Sequence, residues 1–376
     1  MPTNSDDKNF PSKIPNVTVN TQNSTLRFAF ADGLRGLAAL WVVMFHLFEG
    51  HHIDQLIASF PKNIGPILFG SGGLGVAIFF VLSGYVMTHT IYRHQVDLTF
   101  ATNFTLRRLT RLSPPYYFAI LIALIFLILK SKVTGADVNF PSLSGFLIHL
   151  IYAQDFFKVP QINLVFWTLG IEVQFYLAFA MMMFFSDWLA KRFLLKNARF
   201  TIIGIMTFLS LLWTFGIVSS PIWQGGFIGF WYSFMVGVTV SYAVSSNEKS
   251  YITLASLNII LVAMAGVITR DAFILMVVFT SGILLYAGLY GKMSTWLNWR
   301  WLQSLGLISY SLYLLHGPVT GATANLIRHF FSESIATDLI VFIMTLLASL
   351  IAGWLAFQFV EKPSISWSHL IARRIK

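Results

Sequence analysis

Apolar side chains in this chain fall into long unbroken stretches, not into the two-residue alternation of half-buried strands. Stretches approaching the length of a membrane-crossing helix, about 20 residues, lie near 28–49, 67–91, 114–130, 165–185, 201–219, 226–245, 252–269, 273–290, 302–327 and 337–360. Helices satisfy their own backbone groups in lipid. The pattern therefore predicts an all-α, polytopic integral membrane bundle of about ten transmembrane helices. Residues 140–157 are apolar but interrupted, and are expected to be re-entrant or to lie on the surface. Residues 1–26 are rich in Asn, Ser, Thr and Pro, lack the apolar core of a signal peptide, and read as a disordered polar cytoplasmic tail. The membrane domain is then 27–362, and 363–376 a short basic cytoplasmic tail.

Composition agrees: 56% of residues are hydrophobic and 11% charged, against about 45–50% and about 25% in soluble domains. The chain has no cysteine, which excludes disulfides and thiolate chemistry. No His, Asp or Glu spacing of a metal site occurs either.

A net charge of +10 first points to nucleic acid, and its distribution removes that reading. With the N-terminus placed inside, 18 of the 25 Lys and Arg fall in inner segments and 6 in outer ones, Arg35 being within the first span. Such a bias is the positive-inside rule, and it puts both termini in the cytoplasm.

Charged groups within spans are costly and normally face a protein interior or an aqueous cavity. The first span must take in Asp32 and Arg35 to cross the membrane. His46 lies three turns beyond Arg35 at ~3.6 residues per turn, so Asp32, Arg35 and His46 form one stripe. It is either a structural ion pair with a packing histidine or a functional line. Arg107, Arg108 and Arg111 precede Ser113-Pro-Pro. Ser113 fits an N-cap with Pro114 in the first turn, so a helix is expected to start there. Arg108 and Arg111, three apart, suit phosphate recognition, and anchoring to anionic lipid is the alternative. Glu172, deep in its apolar run, shares a helix face with Tyr176 one turn on. It is either a helix–helix hydrogen bond or a partner of His46 or an arginine. Gly70-SGGLG lacks the Lys-Ser/Thr ending of a phosphate loop, and His316 stands before a Gly317-Pro318 break.

Five segments in order carry a resemblance: Asp32-GLRGLAALWVVMFH, Gly75-VAIFFVLSGY, Arg108-LTRLSPPYY, Trp167-TLGIEVQFY and Ser309-YSLYLLHGP. Together they resemble the acyltransferase family 3 of integral membrane proteins, which includes bacterial O-acetyltransferases of surface polysaccharides, over roughly residues 27–362. The resemblance implies that His46 is the essential histidine of the Arg-x10-His signature begun by Arg35. It further implies that Arg108 and Arg111, with Arg107 beside them, receive acyl-CoA, most plainly acetyl-CoA, from the cytoplasm. Glu172 matches the glutamate of the Trp-Ser-Leu-x-x-Glu-x-x-Phe-Tyr pattern; Thr168 replaces its usual serine and Val173 a second glutamate common there. Asp32 or Glu172 then orients the imidazole. Trp167, Gln174, Tyr176, Tyr85, Tyr313 and His316, from the same motifs, are expected to line the substrate site.

The implied partners are acyl-CoA, a carbohydrate or glycolipid acceptor and membrane lipid, in a bacterial inner membrane, with no metal and no nucleic acid. The chain ends soon after Lys362, so the esterase-like extracytoplasmic domain fused to some members is not expected. The competing class is a proton-coupled transporter or flippase using His46, Glu172 and Arg35 as a relay, which would consume no acetyl-CoA.

Overall fold

The computed structural model describes residues 28–135, 140–195, 197–218 and 226–374; the tail expected over 1–26 lies outside them. Each apolar stretch forms a helix. The first is α1 (Ala29–Glu49), followed by the short α2 (Asp54–Ala58). Next, α3 (Ile64–Gly70) runs through a 3₁₀ turn at Ser71–Leu74 into α4 (Gly75–Ile91). Then come α5 (Leu98–Thr134), α6 (Leu143–Leu150), α7 (Phe166–Phe193) and α8 (Ala198–Thr214). A 3₁₀ turn at Phe227–Phe230 leads into α9 (Trp231–Ser246), α10 (Lys249–Thr269) and α11 (Ala272–Leu289). The chain closes with α12 (Arg300–Phe330), α13 (Ile335–Ala356), a π turn at Phe357–Glu361 and α14 (Lys362–Arg374).

Among the described residues there is no strand, and eight helical segments are long and apolar enough to cross a membrane. The other two of the ten expected spans are α8, with 17 residues, and α12, whose 31 residues include Gln303, Ser309, Ser311 and His316. The uncertain stretch 140–157 yields only α6, whose 8 residues reach about 12 Å at ~1.5 Å per residue, too little to cross.

The bundle is apolar outside and partly polar inside. Ile260, Val267, Ile343 and Leu347 are exposed on α10 and α13, whereas Thr239, Ser281 and Asn258 are buried. Asn258 donates to Thr239 Oγ1 at 3.3 Å across α10 and α9. Lipid is as apolar as a protein core, so helices in it associate through close packing and such polar contacts.

The sequence placed a helix start at Ser113; α5 instead begins at Leu98, where the Asp97 carboxylate caps the Phe100 N–H at 2.7 Å, and runs through Pro114 and Pro115. The missing N–H of Pro115 would strand the Arg111 carbonyl. Ser364 of α14 supplies a hydroxyl to that oxygen at 2.9 Å, and Tyr310 of α12 donates to the Leu112 carbonyl at 2.8 Å. The residues after Lys362, read as a tail, thus start as a helix docked on α5.

Between α1 and α12 the backbones nearly touch. A Cβ on Gly306 would stand 2.1 Å from the Asp32 carbonyl oxygen, and one on Gly36 2.8 Å from the Gly306 nitrogen. Gly306→Val is therefore expected to cost roughly 1–3 kcal/mol or more through overpacking. Thermal unfolding in detergent checks it; an unchanged midpoint would mean the two helices are not held this close.

Candidate active site

An inner cavity of about 410 Å³ lies between α1, α4, α5, α7, α12 and the π turn that leads into α14. Six charged residues line it: Asp32, Arg35, Arg108, Arg111, Glu172 and Glu361. Five of them come from segments or span ends that the Lys and Arg count assigns to one face of the membrane. Glu172 reaches the cavity from within α7.

Each charge is placed by local structure. Arg35 and Asp32 are one turn apart on α1, with nitrogen and oxygen 4.0 Å apart. Because α5 is one continuous helix, Arg108 and Arg111 share its inward face, whereas Arg107, a third of a turn from Arg108, is not among the lining residues. Arg108 lies over the rings of Phe104 and Tyr176 at 5.5 and 5.8 Å, a cation–π setting that attracts the guanidinium to this face of the cavity. Glu172 accepts hydrogen bonds from the Ser83 and Tyr176 hydroxyls. The sequence allows either Asp32 or Glu172 to orient His46; here the Glu172 partners are on α4 and its own helix, and Asp32 faces Arg35.

Glu361 and Ser83 were missed. Glu361 is 2% exposed and accepts from Ser311 Oγ at 2.6 Å. It stands one residue beyond the last apolar stretch, where it reads as a boundary charge. The π turn adds a residue to the helical repeat and brings Glu361 to the cavity. Ser83, one turn before Met87 and within the apolar first part of α4, was legible only as a small polar interruption.

The stripe of α1 divides. Asp32 and Arg35 reach the cavity, but His46 does not line it. The reason is the close approach of α12 and α4, which cover the middle of the stripe: Ala39, clustered with Leu312, is fully buried, and Val42, against Gly75, is 1% exposed. At the far end His46 meets His316, their Nδ1 and Nε2 atoms 3.1 Å apart. The cavity ends on Tyr313, whose hydroxyl lies 2.7 Å from Thr168 Oγ1 and whose ring lies 5.8 Å from that of His316.

The remaining candidates scatter. Gln174 accepts the Phe227 N–H at 3.0 Å, and Tyr85 is fully buried against Phe28. Trp167 lines a second cavity of about 540 Å³, with Trp213, Phe230, Tyr232 and Phe273; Val76 borders both cavities. Among the described residues no cluster of three or more His, Asp and Glu could hold a metal ion.

Comparison with known proteins bears on the family of the chain. The family model described as "Acyltransferase domain" matches residues 28–354. Peptidoglycan O-acetyltransferase OatA of Listeria monocytogenes is 27% identical over 372 residues, covering 88% of this chain and 55% of that protein. O-acetyltransferase OatA of Staphylococcus aureus is 32% identical over 180 residues, 44% of this chain and 26% of the relative. A Caenorhabditis elegans protein named regulator of hypoxia-inducible factor 1 is 29% identical over 160 residues, 39% and 32% respectively. The chain thus spans little more than half the length of the Listeria relative. No solved structure matches it. Helices of this number and apolarity, with a family match over most of the sequence, make the chain a multi-pass membrane protein that belongs to the acyltransferase domain family.

Proposed function

We propose that the protein is a membrane O-acetyltransferase that takes an acetyl group from acetyl-CoA at the cytoplasmic face and gives it to a hydroxyl of a cell-surface carbohydrate. The relatives' names favour peptidoglycan as the acceptor. The observation that carries the reading is the convergence of Arg35, Arg108 and Arg111 on one cavity. Guanidiniums held on facing helices offer the charge-assisted, forked donors that phosphates need. The Arg111 guanidinium donates no hydrogen bond among the described residues, whereas Glu361 and Glu172 are engaged by hydroxyls. The cavity can therefore accept an anion without first breaking an ion pair at Arg111.

In this reading the CoA phosphates lie on Arg108 and Arg111, and the thioester arm points toward Tyr313 and Thr168. His46, beyond Tyr313, acts as general base on the acceptor hydroxyl. The aromatic second cavity supports a sugar acceptor: its five ring-bearing residues offer apolar faces with polar edges to a ligand that has both.

The test is binding of CoA to purified protein, followed by turnover of acetyl-CoA. Arg111→Ala is expected to weaken CoA about 10- to 100-fold, since a hydrogen bond to a charged group contributes ~1.5–3 kcal/mol and ~1.4 kcal/mol is tenfold. Calorimetric titration measures it. Unaltered affinity would remove the docking site, and a wild-type protein that consumes no acetyl-CoA would leave the transporter class standing.

A further inference from the structure

His46 and His316 touch each other beyond the donor cavity, and their hydrogen bonds determine which nitrogens carry protons. His316 Nδ1 lies 2.8 Å from the Tyr313 carbonyl oxygen, and His46 Nδ1 lies 2.9 Å from the Val42 carbonyl oxygen. A carbonyl oxygen only accepts, so each Nδ1 bears the hydrogen and each neutral ring keeps its lone pair on Nε2. His316 Nε2 is then an acceptor, and it stands 3.1 Å from His46 Nδ1, with ring centroids 4.8 Å apart at 66°. The His46 Nδ1–H is therefore shared between Val42 and His316.

His46 Nε2 is the nitrogen of the pair that makes no hydrogen bond among the described residues. The side chain is 18% exposed, and this nitrogen lies 3.8 Å from the Glu49 carboxylate, which is itself 54% exposed. His316, by contrast, is 0% exposed and cannot meet a substrate. The two rings are therefore not interchangeable: one presents a lone pair to the outside, and the other supports it from behind.

We propose that His316 is a positioning residue for His46, an uncharged acceptor that holds the ring with Nε2 outward and shares the positive charge that develops on it. The proposal rests on the reading of His46 as general base. During transfer the acceptor O–H bond breaks and its proton goes to His46 Nε2. The oxygen's electron pair forms the new C–O bond to the acetyl carbon, and the C–S bond breaks. The departing CoA thiolate takes the proton back from His46 Nε2. Throughout, the Nδ1–H stays on His46 and strengthens its bond to His316 as the ring becomes cationic. A carboxylate could do the same, but a buried unpaired anion at this depth is costly. A neutral imidazole achieves it without that cost.

The experiment uses the full chain in detergent, with acetyl-CoA as donor and a soluble muropeptide as acceptor, and reads release of the CoA thiol. His316→Leu removes the acceptor atom and is expected to lower kcat about 100-fold with KM for acetyl-CoA within twofold, as outer partners of a working histidine do. His316→Gln puts an amide oxygen near the Nε2 position and is expected to recover most of that loss, which a merely structural role would not predict. Equal kcat in wild type and His316→Leu, with His46→Ala inactive, overturns the proposal and leaves the base assignment intact. Full turnover in His46→Ala overturns the base assignment itself. Should the leucine variant fail to fold, nitrogen-15 NMR of histidine-labelled wild type decides: His46 with its proton on Nδ1 upholds the proposal, and a proton on Nε2 overturns it.

Discussion

Alanine at His46 is expected to lower acetyl transfer about a thousandfold while acetyl-CoA still binds. A positioned general base contributes roughly 10²–10⁴ in rate, and His46 carries the one imidazole of the pair that is open to a substrate, at 18% exposure against full burial of His316. Donor affinity should survive because His46 is not among the residues lining the arginine cavity, from which it is separated by the packed middle of α1 and by Tyr313. The two quantities therefore separate: turnover collapses, and CoA affinity does not move. Calorimetry for CoA and thiol release for turnover measure them on one preparation. Wild-type turnover in the variant would end the catalytic assignment. A loss of CoA binding would instead place His46 in the donor site, with a route past Tyr313 open in solution.

The spans and the gathering of arginines were legible in the sequence because both are short-range properties. An apolar stretch announces its helix, and three-residue spacing put Arg108 and Arg111 on one face whatever surrounded them. Partners across the bundle were not legible. The wheel correctly aligned Asp32, Arg35 and His46, yet nothing in that spacing says that Gly306, some 270 residues on, lets α12 cover the middle of the stripe. The same limit hid the bond of Glu172 to Ser83 on α4, while its bond to Tyr176, one turn away, was readable. The helix start at Ser113 failed for a related reason. Two prolines argue for a break only until a distant hydroxyl, here Ser364, supplies the donor the backbone lacks. Glu361 was hidden by a single extra residue in the helical repeat, which a regular 3.6-residue reading does not contain.

The second large effect is expected at the opposite end of the bundle from the arginines. Arg328, near the end of α12, donates to Asp338 of α13 at 2.8 Å and to the His52 carbonyl at 2.8 Å. Asp338 is 0% exposed, and its other oxygen accepts the Leu56 N–H at 3.0 Å. Burial, and next the Arg328 guanidinium, hold the His52 imidazole below its ordinary range, so it adds little positive charge beside Arg328 at neutral pH. These bonds join α2, α12 and α13 over an apolar cluster that includes Leu47, the neighbour of His46. Arg328→Met leaves a buried carboxylate with one backbone N–H for company, a change that costs about 3–5 kcal/mol. Removing both charges with Arg328→Met and Asp338→Leu should recover most of the loss, because the penalty comes from the stranded anion more than from the missing attraction. Thermal unfolding of the single and double variants in one detergent measures both terms. A drop worth less than about 1 kcal/mol in Arg328→Met would mark the pair as an ordinary solvated contact, and the end of α1 that carries His46 would then be held by apolar packing alone.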